Sequence, residues 1–190
     1  RCDRACVPSI SIMEELRDKG FKSTEYLPHG IDLNVFSDVY KSDTWKKSLD
    51  IEGKNVILFV GRLVWEKDLR TFAEIYDLLT NIRNDISFVI VGDGPIRRDL
   101  KKMMPEALFL GHKSGIELST IFASSDLFVC PSTTETFGNV VLESMASGLV
   151  PVCSNEGGAS SSIKHNHNGI VCKAKDSIDF SKQIISLFKD

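Results

Sequence analysis

The stretch VILFVGRLVWEKDLRTFAEIYDLL, residues 56–79, decides the fold. Val56-Ile57-Leu58-Phe59-Val60 is an unbroken apolar run, and unbroken runs suit strands covered on both faces, as in a parallel sheet. After Gly61 the pattern changes. Leu69, Phe72, Ala73, Tyr76 and Leu79 follow an i, i+3, i+4, i+7, i+10 spacing that lays one apolar stripe along a helix. Phe88-Val89-Ile90-Val91 then repeats the strand signal, closing a strand–helix–strand unit.

Working outward, the same alternation continues. Apolar runs recur at Ala107–Leu110, Leu127–Cys130 and Leu149–Cys153, with a weaker one at Gly169–Cys172. Helical stripes lie between or after them, on Leu118, Ile121 and Phe122, on Val141, Leu142, Met145 and Ala146, and on Phe180, Ile184 and Phe188. Pro95 stands where a first helical turn would begin and Gly148 where a helix would end. Repeated βαβ units with right-handed crossovers predict an α/β, doubly wound, Rossmann-like parallel sheet. Upstream, Ala5–Pro8 reads as a strand and Ser9–Lys19 as an amphipathic helix on Ile12 and Leu16. Turn chemistry at Pro28–Asp32 and a polar stretch, Ser37–Asp50, then separate this element from the domain proper.

Composition bounds the function. The 190 residues correspond to little more than one domain at about 150 residues per domain. Lys and Arg number 23 against 26 Asp and Glu, a net charge of −3, which argues against a partner bound by phosphate neutralisation along nucleic acid. The 5 cysteines contain no Cys-x-x-Cys pair, so neither zinc spacing nor a disulfide framework is supported. Cys130, Cys153 and Cys172 end apolar runs and read as buried thiols in a reducing compartment. No apolar stretch approaches the ~20 residues of a membrane span. Because the chain opens on Arg1, it is expected to be part of something longer.

In an open parallel sheet, ligands sit beyond the carboxyl ends of the strands. Three loops there carry chemistry. Gly61-Arg62-Leu63-Val64-Trp65-Glu66-Lys67 places a guanidinium and an ammonium on one strand-to-helix loop, suited to a phosphate or else simply solvated. Val91-Gly92-Asp93-Gly94-Pro95 lets backbone approach a ligand, but Arg97 stands where a dinucleotide fingerprint needs its third glycine, so by itself the pattern reads better as a plain tight turn. The third loop, Pro131 to Glu143, is the richest. A helix beginning near Gly138 leaves the N–H groups of Gly138, Asn139 and Val140 facing the crevice, a ready anion site.

Glu135 and Glu143 flank that site. On a single helix they would lie ~12 Å apart along the axis, too far to share a proton. Glu143 leans back toward the helix start, so the two carboxylates would accept hydrogen bonds from separate hydroxyl-bearing parts of one ligand with its anion between them. A nucleotide-sugar has that shape. Gly157–Ser162 reads as a further anion-facing loop or a flexible turn. His165-Asn166-His167 resembles a metal-ligand pair without a third ligand, and no metal is expected. His29 and His112 are isolated and read as hydrogen-bonded loop residues rather than catalytic ones, and neither a Ser-His-Asp set nor a Walker lysine is present.

In order and spacing, Pro28-x-Gly-Ile-Asp32, Gly61-Arg62-x4-Lys67, Val91-Gly-Asp-Gly-Pro95, Glu135-x-Phe-Gly-x4-Glu143, Gly157-Gly158 and Asn168-Gly169 resemble the donor lobe of the family-4 retaining glycosyltransferases of the GT-B fold. The resemblance implies an enzyme that transfers a hexose, with mannose favoured, from a GDP- or UDP-linked donor to a cell-envelope glycan or lipid acceptor of lipopolysaccharide type. Transfer would retain configuration and need no metal or other cofactor. Arg62 and Lys67 would bind the diphosphate and offset its growing charge, and Glu135 with Phe137 would contact the sugar. Gly61, Gly138, Asn139 and Val140 would support sugar and phosphate, and Glu143 the ribose. Gly92, Gly94, Pro95, His112 and Lys113 would border the base.

Residues 1–27 would be a remnant of an N-terminal lobe that binds the acceptor, 28–50 an interlobe linker, and 51–190 the donor domain, alone inactive. A cytoplasmic enzyme, with peripheral association at the inner membrane face, is implied. Two departures stand out. The family commonly has Asn where His29 stands, which is expected to change little, and an acid near Ser161. Readings kept open are a GT-B nucleotide-sugar epimerase or hydrolase and a non-catalytic nucleotide-binding module.

Overall fold

The side chains of β3 (Asn55–Val60) divide between the two faces of a sheet, and each face has its own apolar cover. The computed structural model describes residues 3–188. In chain order the elements are β1 (Ala5–Val7), α1 (Ile10–Asp18), β2 (Thr24–Tyr26), α2 (Trp45–Ser48), β3, α3 (Leu69–Thr80), β4 (Ile86–Val91), α4 (Arg97–Met103), β5 (Leu108–Gly111), α5 (Gly115–Ser124), β6 (Leu127–Cys130), α6 (Asn139–Ala146), β7 (Val150–Ser154), β8 (Ile170–Cys172) and α7 (Ser177–Leu187). Short 3-10 turns lie at Asp38–Tyr40, Trp65–Lys67 and Ala159–Ser162.

Strands β3 to β8 form one parallel sheet in the order β5-β4-β3-β6-β7-β8. The chain winds outward from β3 in one direction, then crosses to β6 and winds the other way. The boundary between β3 and β6 is therefore the topological switch point, where a crevice opens beyond the strand ends. Ile57 and Phe59 pack with Phe72, Leu79, Phe88 and Phe180, under α3, α4 and α7. Val56 and Leu58 face the other way, toward Ile121, Phe122, Phe128 and Val141, under α5 and α6. Phe72, Phe88, Phe122, Phe128 and Phe180 are fully buried, and each such side chain contributes about 2–3 kcal/mol of transfer free energy. The doubly wound α/β architecture is as expected.

Local details differ from the pattern reading. Strands β5 and β7 each start and end one residue later than their apolar runs. Pro95 sits in a turn two residues before α4, which begins at Arg97 behind Ile96. Gly138 is the residue that caps α6, with φ 78°, and the helix itself starts at Asn139.

Upstream, β1 and β2 make a separate two-stranded parallel sheet, with α1 capped by Ser9, whose hydroxyl accepts from the Ile12 N–H. The segment after Pro28 is mostly exposed but touches the domain at several points. Ser119 Oγ donates to Val35 O at 2.5 Å, Phe36 meets Phe122 edge-on at 5.8 Å, and Trp45 and Leu49 cover the second core. Cys6, Cys130, Cys153 and Cys172 are free thiols, the last three buried; Cys2 lies outside the described residues. Among the described residues no helix is long and apolar enough to cross a membrane.

Candidate active site

The two loops that flank the switch point are tied to each other directly. Lys67 Nζ donates to Glu135 Oε1 at 2.5 Å, and Thr134 Oγ1 donates to Glu66 O at 3.0 Å. The ion pair is well shielded, with 23% of the lysine and 18% of the glutamate side chain exposed. At that depth salt screens it less than a surface pair. Arg62 differs: its side chain is 70% exposed and only 3.8 Å contact with Glu66 holds it, so its guanidinium is available to a ligand.

Backbone contacts set the loop after β3 in place. Gly61 N–H donates to Val91 O and Leu63 N–H to Asp93 O, at 3.0 and 2.9 Å. Gly92, at φ +132°, lies so close beneath that a Cβ would stand 1.9 Å from Gly61 O. The Gly-Asp-Gly signal is thus explained by loop-on-loop packing, since Gly94 also lies against Leu63 O. Behind the loop after β6, Gly158 N–H donates to Glu135 O at 2.5 Å, and a Cβ at 158 would be 2.1 Å from Thr136 O. The double glycine is a backing for the Glu135 loop. Its Gly158 N–H does not face an anion site.

At the start of α6 the N–H groups of Gly138, Asn139 and Val140 have no hydrogen-bond partner among the described residues. They open into a cleft of about 530 Å³ whose lining includes Gly61, Arg62, Lys67, Glu135, Phe137, Gly138, Asn139, Val140 and Glu143. A second cleft of about 480 Å³ shares Val60, Gly61 and Arg62 with it and runs on to Gly92, Asp93, His112, Lys113 and Leu118. Lys113 is paired with Glu117 there. Gly94 and Pro95, expected at the base-binding border, line neither cleft; Pro95 is exposed on the turn before α4.

Glu143 is half-buried one turn into α6, with no side-chain hydrogen bond or ion pair to a described residue. Burial pushes its carboxyl up from the ordinary value, because low polarity disfavours the charged form. It is an unpaired acceptor in the cleft among the described residues, whereas Glu135 is paired with Lys67. His165 accepts the Val171 N–H at its Nδ1, and no three His, Cys, Asp or Glu side chains converge as a metal set among the described residues.

The pattern reading missed several lining residues. Phe59, Val60 and Cys130 are strand ends that form the floor, and Thr136 belongs to the loop. Their place at the carboxyl ends of β3 and β6 was the available signal. His29, from the turn after β2, also reaches the first cleft, and nothing in its sequence neighbourhood indicates that.

The profile of the family described as "Glycosyl transferases group 1" matches residues 41–190. A GDP-mannose-dependent alpha-mannosyltransferase of Corynebacterium glutamicum is 38% identical over 184 residues, covering 96% of this chain and 43% of that protein. The chain thus spans less than half the length of this curated relative. The structure of Anabaena HepE in complex with UDP and glucose superposes with a TM-score of 0.86 at 21% identity, over 100% of this chain and 54% of that one. The C-terminal domain of a group 1 glycosyl transferase, LpcC of Francisella tularensis, superposes with a TM-score of 0.73 at 23% identity, over 85% of this chain and 89% of that one.

Proposed function

The chain belongs to the glycosyl transferases group 1 family, and from that premise we propose that it is the donor-binding half of a glycosyltransferase that uses a nucleotide-diphosphate hexose. One observation carries the proposal: two cations, two carboxylates and the free N–H groups of α6 line a single cleft at the switch point. Nucleotide-sugars fit that chemistry, since the diphosphate needs donors while ribose and hexose hydroxyls need acceptors.

The diphosphate lies between Arg62, Lys67 and the start of α6. As the glycosidic bond breaks, negative charge builds on the leaving phosphate, and the same groups offset it without reorganising, the usual source of the largest catalytic effect. Arg62 and Lys67 take the role that other transferases give to a metal ion. Glu135, oriented by Lys67, accepts from a hexose hydroxyl, and Glu143 from the ribose. The base lies in the second cleft, between Gly92 and His112–Lys113.

GDP-mannose is the proposed donor, supported by the mannosyltransferase relative; the UDP complex of the structural neighbour makes UDP-glucose the comparison donor. The acceptor is a cell-envelope glycan or lipid of lipopolysaccharide type, bound by a lobe upstream of residue 28, with residues 28–50 as the hinge and 51–190 as the donor domain. Transfer retains anomeric configuration. The proposed location is the cytoplasm, at the inner membrane face, and the buried free thiols suit a reducing compartment. Because both substrates must be oriented together, the chain alone binds donor but turns over little.

A calorimetric panel of GDP, UDP, ADP and their sugar conjugates tests the donor assignment, with GDP-mannose expected to bind best and binding of none of them contradicting it. Incubating the full-length protein with donor alone separates transfer from epimerisation or hydrolysis, since a transferase leaves most of the donor intact until acceptor is added.

A further inference from the structure

His29 lies in the turn Pro28–Asp32, yet its ring nitrogen Nδ1 is 3.0 Å from Asn139 Oδ1, across 110 residues of chain. Its ring also meets that of Phe137 at a centroid distance of 5.0 Å and an angle of 57°. An amide oxygen only accepts, so the imidazole presents a proton on Nδ1 to it. With Oδ1 engaged, the Asn139 amide is held against rotation, and its NH2 group, on the opposite side of the planar amide, is directed away from His29. Asn139 is the first residue of α6 and lines the same cleft as Arg62 and the free N–H groups of Gly138 and Val140. A second contact from upstream meets the same loop, where Ser9 Oγ donates to Thr136 O at 2.8 Å.

We propose that His29 is a positioning residue of the donor site, which holds the Asn139 amide so that its NH2 donates to a phosphoryl or sugar oxygen of the nucleotide-diphosphate sugar. The proposal rests on the donor-binding reading given above. It adds a contribution from outside the sheet domain: the turn that leads in from β2 completes the anion-binding end of α6. An amide already fixed in its bound orientation loses less freedom when the donor arrives.

Two variants separate the hydrogen bond from the ring contact. His29→Asn keeps an N–H donor at the δ position, two bonds from Cβ, and loses the ring; His29→Phe keeps the ring on Phe137 and loses the donor. Affinities for GDP-mannose and UDP-glucose, measured by calorimetry on the full chain, are the readout, with thermal stability recorded for every variant. His29→Phe and Asn139→Ala each weaken the better-bound probe about three- to fivefold, the double variant weakens it no further, and His29→Asn stays within about twofold of the parent. Unchanged affinity in His29→Phe, additive losses in the double variant, or a His29→Asn loss equal to that of His29→Phe overturns the proposal. Arg62→Ala is measured alongside. If it too binds both probes like the parent, the donor-site reading itself fails; if it binds weakly while His29→Phe is unaffected, only the role of His29 is lost.

Discussion

Lys67 Nζ and Glu135 Oε1 face each other at 2.5 Å across the boundary between β3 and β6, each shielded from solvent on most of its surface. The pair joins the two loops that the sheet topology brings to the switch point. It also gives each charge a partner within the cleft. On the proposed donor-site reading, an incoming diphosphate would compete with Glu135 for the lysine, and a hexose hydroxyl would take up the carboxylate in exchange.

Replacing Glu135 by Gln therefore separates binding from turnover. With its counter-charge gone, the Lys67 ammonium has more of its field to offer a phosphate, so the free nucleoside diphosphate binds as tightly as to the parent or more tightly. Turnover by the full-length enzyme falls by about 10²-fold, as expected where a polar contact to the reacting sugar is lost. Equal losses in diphosphate affinity and turnover would point instead to collapse of the loop.

On the proposed reading, Glu143 should make the nucleotide affinity depend on pH. Its folded-state value is raised by burial, so as pH falls it gains a proton before an ordinary glutamate does, and ribose hydroxyls then lose their acceptor. Affinity for GDP should decline from a higher pH than ordinary carboxylates explain, and Glu143→Gln should remove that part of the profile. The linkage for stability runs the opposite way. A raised carboxyl favours the folded state at low pH and loses that contribution as pH rises through the folded value. Glu143→Gln should thus melt at a higher temperature than the parent at pH 8, with the gap narrowing toward pH 4.

Gly92 is a test of the loop packing. A methyl group there lands 1.9 Å from Gly61 O at a backbone φ of +132°, so Gly92→Ala should cost about 2 kcal/mol or more in stability. Because Gly61 and Arg62 are displaced with it, donor affinity should fall too. Gly53→Ala, at φ +77° with open space around its Cβ, is the control: it costs about 1–2 kcal/mol of backbone strain and leaves donor affinity unchanged. Chemical denaturation and calorimetry on both variants provide the check.

The thiols should divide by burial. Burial pushes the Cys172 thiol up to about 12 and Cys153 well above its ordinary value, whereas Cys6 is exposed. In a Cys2→Ser background, an aromatic disulfide reagent at pH 8 should label Cys6 within minutes. It should reach Cys153 and Cys172 only when denaturant opens the sheet.

Much of the architecture was legible because the strands are covered on both faces. Val56–Val60 and Leu127–Cys130 are apolar at every position, and that feature alone implied helices above and below. The switch-point loops followed from those strands, which is why Arg62, Lys67, Glu135 and Glu143 could be grouped before their positions were known. Other elements left no such trace. Strand β2 is the three residues Thr24-Glu25-Tyr26, with no apolar run, and it exists by pairing with β1. Phe36, Trp45 and Leu49 sit singly in polar sequence, so their packing on the domain has no periodic signature. The resemblance alone implies a base-bordering role for Gly94 and Pro95, and the close approach of Gly94 to Leu63 O has no signature in a glycine turn read by itself. His29 was hardest, since its partner Asn139 is set by the tertiary fold alone.

On the proposed reading, the cations of one loop and the amides of the next grip a single diphosphate. Calorimetric titration of GDP-mannose into the parent chain and an Arg62→Ala/Lys67→Ala variant tests it most directly, with turnover of the full-length enzyme measured in parallel. The double variant should fold, lose nearly all measurable donor binding, and drop in turnover by about 10²–10³-fold. A folded double variant that binds GDP-mannose like the parent and keeps near-full activity would contradict it.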